Sequence, residues 1–496
     1  MAKENVATIG KKVKALANPL RDEGVGSGAY LEQITYLIFL KMVDEYSKPP
    51  YNRPLRIPED CTWDSLKRLS GEPLDEHYRK ILEILGKKDG LLKEIFGGAD
   101  SKIKKPALLK KVITMVDSEE WVSMASDVKG TIYEELLKEY AEDTKSGAGQ
   151  YFTPRALINT MVKCVRPLPN KTICDPACGT GGFLLSAYDF ISNPENYQLD
   201  RDQKKFLKEE TFYGVELVQE TYRLCLMNLF LHGIGDINSD NVPIIRTDSL
   251  LNKPSEMYDY VLANPPFGRK SSLTITNEDG EEESEDLVYN RNDFWTTTSN
   301  KQLNFVQHIW SSLKVDGKAA IVVPDNVLFE DGAGDIVRKN LLEKTNLHTI
   351  LRLPTGIFYK PGVKANVIFF DNKKPSKEWQ TKSVWVYDFR TNVHFTLKQN
   401  PMTEKDLSDF VTCYNSDNIQ ERKATYSEEN TNGRWREYTL KEIKDNNYKL
   451  DLKWMQEYDG SEDLSLKELF ELIKTKSKNI SKAVEELEAL IGEVEE

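Results

Sequence analysis

From Thr153 onward the chain alternates short apolar, β-rich runs with stretches that suit helices, and no other feature restricts the fold as much. The β-rich runs fall at residues 172–174, 212–215, 242–245, 258–263, 319–323, 349–353 and 365–370, and helix-compatible stretches such as 183–191 and 220–232 separate several of them. Parallel strands need long crossover connections, which helices usually supply. The expected fold is therefore α/β, a Rossmann-like doubly wound and mainly parallel sheet. Ligands in such sheets sit beyond the carboxyl ends of the strands, where strand order reverses. Residues just after each run are thus the ones to read for chemistry.

The flanking regions have a different texture. In the first 145 residues Tyr30, Leu31, Ile34, Leu37, Ile38 and Met42 recur at spacings of one, three and four, which builds one apolar helix face. Residues 81–95 and 132–140 are similarly patterned, and Pro/Gly clusters at Pro49-Pro50, Gly97-Gly98 and Gly147-Ala148-Gly149 separate the segments. At the other end Leu466, Phe470, Ile473, Ser477, Ile480, Val484, Leu487, Ile491 and Val494 step alternately by four and three. That is a heptad seam, which needs a partner helix. The expected organisation is an N-terminal helical domain over 1–145, a catalytic domain over 146–460 and a docking helix over 461–496. Residues 271–292 are polar and strongly acidic, and read as a surface loop that can move over a site.

Charge and cysteine content narrow the class. The formal net charge is −12, whereas a protein that grips DNA by itself usually presents a basic face. An acidic chain acting on nucleic acid is expected to share that grip with a partner. Six cysteines are scattered, and the nearest pair, Cys174 and Cys178, has no neighbouring histidine to complete a zinc set, so no metal is expected. No apolar run reaches the ~18 residues of a membrane span, and the first twelve residues lack the apolar core of a secretion signal. A cytoplasmic location without membrane contact follows as the expectation.

The first chemical signal is the glycine turn Asp175-Pro176-Ala177-Cys178-Gly179-Thr180-Gly181-Gly182-Phe183, placed between a strand and a helix. Glycine permits positive φ and close backbone approach by a ligand. No Lys-Ser or Lys-Thr follows, and Asp175 would repel a pyrophosphate. A carboxylate there suits a cationic group such as an amino-acid ammonium. Glu216 ends the next run, where an acid can take both ribose hydroxyls of a nucleoside. Asp248 follows the third run and is a candidate acceptor for an adenine amino group. Three acids at successive strand ends point to a nucleoside ligand.

The second signal is Asn264-Pro265-Pro266-Phe267 at the end of an apolar run. The prolines stiffen the turn and remove two amide donors. Oδ1 of Asn264 and the Pro265 carbonyl are then acceptors for an –NH2 group, whose planar ring would stack on Phe267. An aromatic amine is a poor nucleophile because its lone pair is delocalised. Two acceptors draw it toward tetrahedral geometry and aim the lone pair at a methylsulfonium carbon. A base within a duplex reaches such a pocket only when flipped out. Cytosine C5 methylation would need a Pro-Cys nucleophile, which is absent from the sequence.

With these residues in place, the chain resembles the modification (methyltransferase) subunit of type I restriction-modification systems. The Phe-Thr-Pro element of that family is matched by Gln150-Tyr151-Phe152-Thr153-Pro154-Arg155, its glycine loop by residues 175–184, and Asn-Pro-Pro-Phe by residues 264–267. The resemblance implies S-adenosyl-L-methionine as cofactor, adenine N6 in double-stranded DNA as target, and Gln150 to Arg155 packed on the cofactor. It also implies an assembly: two copies of this chain with one specificity subunit, joined in some complexes by a nuclease-translocase subunit. Two other readings fit parts of the sequence, a protein glutamine methyltransferase and a catalytically idle assembly subunit.

Overall fold

The computed structural model describes residues 18–21, 26–54, 57–123, 153–239, 241–268, 272–276, 282–286, 288–358, 362–397, 399–455, 474 and 477. Eleven strands lie among them: β1 (Ile173–Asp175), β2 (Phe212–Glu216), β3 (Ile244–Arg246), β4 (Tyr258–Ala263), β5 (Ser272–Thr276), β6 (Glu282–Asp286), β7 (Leu313–Pro324), β8 (Thr345–Arg352), β9 (Ala365–Asn372), β10 (Ser383–Asp388) and β11 (Trp435–Thr439). Nine of them form one sheet in the order β11-β10-β8-β9-β7-β4-β1-β2-β3. From β3 across to β7 every neighbouring pair is parallel, whereas β9 runs antiparallel between β7 and β8. The chain leaves β1 toward β2 and β3, then returns to place β4 on the other side of β1. Strand order therefore reverses between β1 and β4, which opens a crevice at their carboxyl ends.

Both faces of the sheet are covered, so its strands are apolar on consecutive residues rather than alternately. Tyr260 and Leu262 of β4 join one hydrophobic cluster, while Val261 and Ala263 join the other. Each expected β-rich run corresponds to a strand. β10 and β11, which extend the sheet beyond β8, fall outside the expected β-rich runs. Within residues 271–292, expected to be a surface loop, the described residues 272–276 and 282–286 instead pair as antiparallel strands, with Ser272 opposite Asp286 and Thr276 opposite Glu282. Leu273, Thr274, Ile275 and Thr276 are good strand formers, a signal that the acidic run masked.

Among the described residues of the amino-terminal region the regular elements are helical, including Ser27–Ser47, Glu72–Gly86 and Pro106–Asp117. Ser27–Ser47 is buried on more sides than its apolar face accounts for, with every residue from Gln33 to Leu40 buried. One flank packs on its helical neighbours, and the other meets the helix Gln219–Leu231 that follows β2. Phe39 lies 4.5 Å from Phe230 between ring centroids. Arg223, itself buried, pairs with Glu32 and donates to the Gly97 carbonyl at 2.8 Å. The hydroxyl of Tyr222 donates to Glu94 at 2.8 Å. The expected helix at 132–140 and the heptad seam, apart from Ser477, lie outside the described residues.

Among the described residues, no helix is long and apolar enough to cross a membrane.

Candidate active site

Parallel register brings the singled-out residues to one edge of the sheet. Asp175 pairs with Gly214, Glu216 with Arg246, and Cys174 with Val261. Asp175 thus ends β1, Glu216 ends β2, Asp248 stands two residues past β3, and Asn264 directly follows β4. The crevice predicted by strand order lies between the first and the last of these.

The glycine turn is locked from below. Gly179 and Gly181 have φ of 53° and 85°, where glycine is favoured, and Gly181 caps the helix Gly182–Ser192. A Cβ on Gly181 would stand 3.1 Å from the Cys225 thiol, and one on Gly182 would come within 2.9 Å of Ile158. A Cβ on Gly179 would meet nothing within 4 Å, so the turn is open on that side. Asn228 donates to the Thr180 carbonyl at 2.8 Å, and Ser249 donates to the Pro176 carbonyl. Phe183 is buried in the core beneath the turn.

The acids differ in environment. Asp175 is 1% exposed and accepts from the Ala177 amide at 3.0 Å. Burial pushes its carboxyl up to about 8; the Ala177 amide opposes this and the Glu216 charge adds to it. Glu216 accepts from the Gly179 amide at 3.0 Å and from the Val218 amide at 2.9 Å. Burial raises its pKa as well, against those backbone donors. Asp248 accepts from the Leu250 amide at 2.9 Å and from the Tyr289 hydroxyl at 2.7 Å. A buried carboxylate and a half-buried one beside an open glycine turn form a site that a cationic group stabilises. Leu217 and Val218, passed over in the sequence, stand 62% and 50% exposed next to Glu216 and give its rim an apolar surface.

Asn264 is 6% exposed, and its Nδ2 donates to Oγ1 of Thr153 at 2.8 Å. Its Oδ1 is buried without a hydrogen-bond partner. A buried acceptor left unmatched is costly, and a donor brought by a ligand removes that cost. Thr153, expected to serve the cofactor, is thus seen holding the amide of the other motif. Pro265 is buried, and the Pro266 carbonyl accepts from the Gly268 amide at 3.2 Å. Phe267 is buried with its ring edge-to-face against Phe358, 5.5 Å between centroids and 86° between planes. Phe358 was missed because nothing local marks it; the loop beyond β8 carries it there. Pro154 starts the helix Arg155–Val165, and Arg155 reaches the Gly182 carbonyl at 3.4 Å and Asp189 at 3.0 Å. Gln150, Tyr151 and Phe152 lie outside the described residues.

The family model described as N-6 DNA Methylase matches residues 124–463, and the one described as HsdM N-terminal domain matches residues 9–116. The type I restriction enzyme StySPI methylase subunit of Salmonella potsdam is 37% identical over 519 aligned positions, covering 97% of this chain and 94% of its own. The crystal structure of the type I restriction enzyme EcoKI M protein has 33% identity and a TM-score of 0.54, covering 95% of this chain and 94% of that one. A structure from work on complex assembly and conformational transition of a type I restriction-modification system has 24% identity, covers 99% of both chains, and supports the fold with a TM-score of 0.72.

Proposed function

Since the chain belongs to the N-6 DNA methylase family, among the methylase subunits of type I restriction enzymes, we propose that Asn264 and the Pro265 carbonyl activate the amine it methylates. The protein is a DNA methyltransferase acting on adenine N6, the modification subunit of such a system. Family membership removes the protein-glutamine reading, and the intact motif residues argue against an idle scaffold.

The observation that carries the proposed role is the buried, unpartnered Oδ1 of Asn264. Thr153 Oγ1 accepts a hydrogen bond from Asn264 Nδ2, which fixes the side chain so that Oδ1 is held as an acceptor. One N–H of the adenine amine donates to Oδ1 and the other to the Pro265 carbonyl. Both bonds strengthen as the nitrogen pyramidalises, so they favour the transition state over the ground state. Asn264 is neutral and acts by aligning a lone pair, not by removing a proton. Phe267, held by Phe358, supplies an aromatic wall for the base. Adenine must leave the helix to reach this depth.

The residues of the glycine turn fit S-adenosyl-L-methionine. Asp175 would hold its ammonium, Glu216 its ribose hydroxyls and Asp248 its adenine amine, with Gly179, Thr180, Gly181 and Gly182 allowing close approach and Leu217 facing the base. The fit rests on the buried Asp175 carboxyl, whose ionised form needs a cation. When bound, the cofactor supplies an electrophilic methyl group. Gln150, Tyr151 and Phe152 are assigned to its wall from their sequence match alone.

Assembly follows the same reading. DNA and other subunits of the system are partners: a specificity subunit that reads the sequence, a second copy of this chain, and in cleaving complexes a nuclease-translocase subunit. Within the chain, 1–145 is proposed as the helical domain, 146–460 as the catalytic domain and 461–496 as the docking helix, working in the cytoplasm. Incubating the chain and its specificity subunit with duplex DNA and methyl-labelled cofactor tests the reading. Label is expected in N6-methyladenine, and label in cytosine or in protein would overturn it.

A further inference from the structure

Among the described residues, three side-chain amide oxygens are buried without a partner: those of Asn228, Asn264 and Gln302. In each case the nitrogen of the same amide is used on a loop of the active site. Asn228 holds the Thr180 carbonyl, Asn264 the Thr153 hydroxyl, and Gln302 the Gly268 carbonyl at 2.7 Å. Gln302 lies in the first turn of the helix Lys301–Ser312 and is 4% exposed. No sequence motif marks it.

The neighbours of Gln302 on that helix are satisfied. Asn300 caps the helix, accepting from the Gln302 amide at 3.0 Å, and its nitrogen donates to Glu330 at 2.8 Å. Asn304 donates to the Thr298 carbonyl at 2.8 Å and accepts from Gln307 at 3.3 Å. The Gln307 oxygen accepts from the Thr296 amide at 2.9 Å. Burial alone therefore does not orphan amides on this helix. The exception is the one whose nitrogen is bonded to the residue after Phe267, at the mouth of the Asn-Pro-Pro-Phe turn.

We propose that Gln302 is a second side-chain contact for the methyl-accepting base: Nε2 anchors the Gly268 carbonyl, and Oε1 joins the Pro265 carbonyl as the second acceptor of a three-centre hydrogen bond from one N–H of the extruded adenine's exocyclic amine. This rests on Asn264 being the amine-binding residue. Gln302 thereby couples closure of the turn to the presence of an amine, since a base lacking one leaves both Oε1 and the Asn264 oxygen unmatched.

The test uses the chain assembled with its specificity subunit, on duplexes carrying adenine or purine (which lacks the amine) at the target position. The readout is the adenine-over-purine binding preference of each variant relative to wild type, which cancels the easier extrusion of the more weakly paired purine. Gln302→Met shrinks that preference and slows single-turnover transfer by about tenfold, the rate equivalent of one net hydrogen bond, with cofactor affinity unchanged. Gln302→Glu keeps an acceptor but gives up the Nε2 donor to the Gly268 carbonyl, so a preference partly recovered relative to Gln302→Met marks acceptance rather than anchoring as the role. An undiminished preference in Gln302→Met leaves Gln302 as a structural anchor only and overturns the proposal. Asn264→Ala run in parallel separates the two ideas: if it too keeps the full preference and rate, the underlying amine-pocket reading fails instead.

Discussion

Oγ1 of Thr153 accepts a hydrogen bond from Nδ2 of Asn264 at 2.8 Å across 111 residues of sequence, and both residues are buried. The Phe-Thr-Pro element and the Asn-Pro-Pro-Phe element are thus one hydrogen-bonded unit. Substituting Thr153 by Val keeps the shape but removes the acceptor. It leaves a buried N–H unmatched, at a cost of ~1–3 kcal/mol, and frees the Asn264 amide to rotate. Denaturant unfolding should register that loss, and transfer should slow while the cofactor still binds. Unchanged transfer would mean that the amide is held by something else.

Asp175 gives a pH prediction. Its carboxyl is raised to about 8 by burial, so the ligand-free protein carries a proton there at neutral pH that the unfolded chain does not. Stability from this protonation is complete below the ordinary carboxylate range and is lost as pH climbs through about 8. A cationic ligand needs the ionised form. Cofactor binding should therefore release a proton at neutral pH, and affinity should rise with pH over about 6 to 7.5, a trend linked to that proton. Asp175→Asn should weaken binding by ~1.5–3 kcal/mol, as for a hydrogen bond to a charged group, and flatten the trend. Calorimetry in buffers of different ionisation enthalpy measures both, and no proton release would count against the role.

Gly179 and Gly181 share positive φ but differ in surroundings. Alanine at either position bears the left-handed strain of ~1–2 kcal/mol. At Gly181 the new methyl group also meets the Cys225 thiol at 3.1 Å, whereas at Gly179 it points into open space. Gly181→Ala should chiefly lower the melting temperature. Gly179→Ala should chiefly lower cofactor affinity, because the open side is where the ligand approaches. Equal effects of the two variants on binding and stability would reject this division.

Arg223 joins the helical region to the cofactor region through Glu32 and the Gly97 carbonyl. Removing one member of a buried pair strands the other, at a cost of ~3–5 kcal/mol. Arg223→Ala should destabilise the chain on that scale in urea unfolding, and should expose the amino-terminal helices to limited proteolysis before the sheet. A surface-like loss below ~1 kcal/mol would mean that the pair is solvated.

The sequence carried the sheet and the site unevenly. The central strands β1, β4, β7 and β9 were legible because two-sided burial makes runs within them apolar on consecutive residues, as at residues 260–263 and 319–323, whereas the edge strand β3, with Ile245 exposed, was legible only from its short apolar run. β11 was not, because Trp435, Arg436, Glu437, Tyr438 and Thr439 mix charge with aromatics at an edge, where one side of the ladder is unpaired. The acids at the strand ends were legible from position alone. Contacts set by tertiary approach were not: Thr153 on Asn264, Phe358 on Phe267, Tyr289 on Asp248 and Gln302 on Gly268 join residues far apart in sequence. The fuller burial of Ser27–Ser47 was hidden likewise, since its second contact surface belongs to Phe230 and Arg223.

The most direct measurement is single-turnover methyl transfer by Asn264→Ala in the assembled complex, with cofactor affinity determined on the same sample. Loss of transfer by ~10²–10³-fold, as for removal of a group that stabilises developing charge, with cofactor affinity intact, is the expected result. Transfer at the wild-type rate, or a matched loss of transfer and cofactor binding, would contradict the assignment of Asn264 Oδ1 as the acceptor that orients the adenine amine.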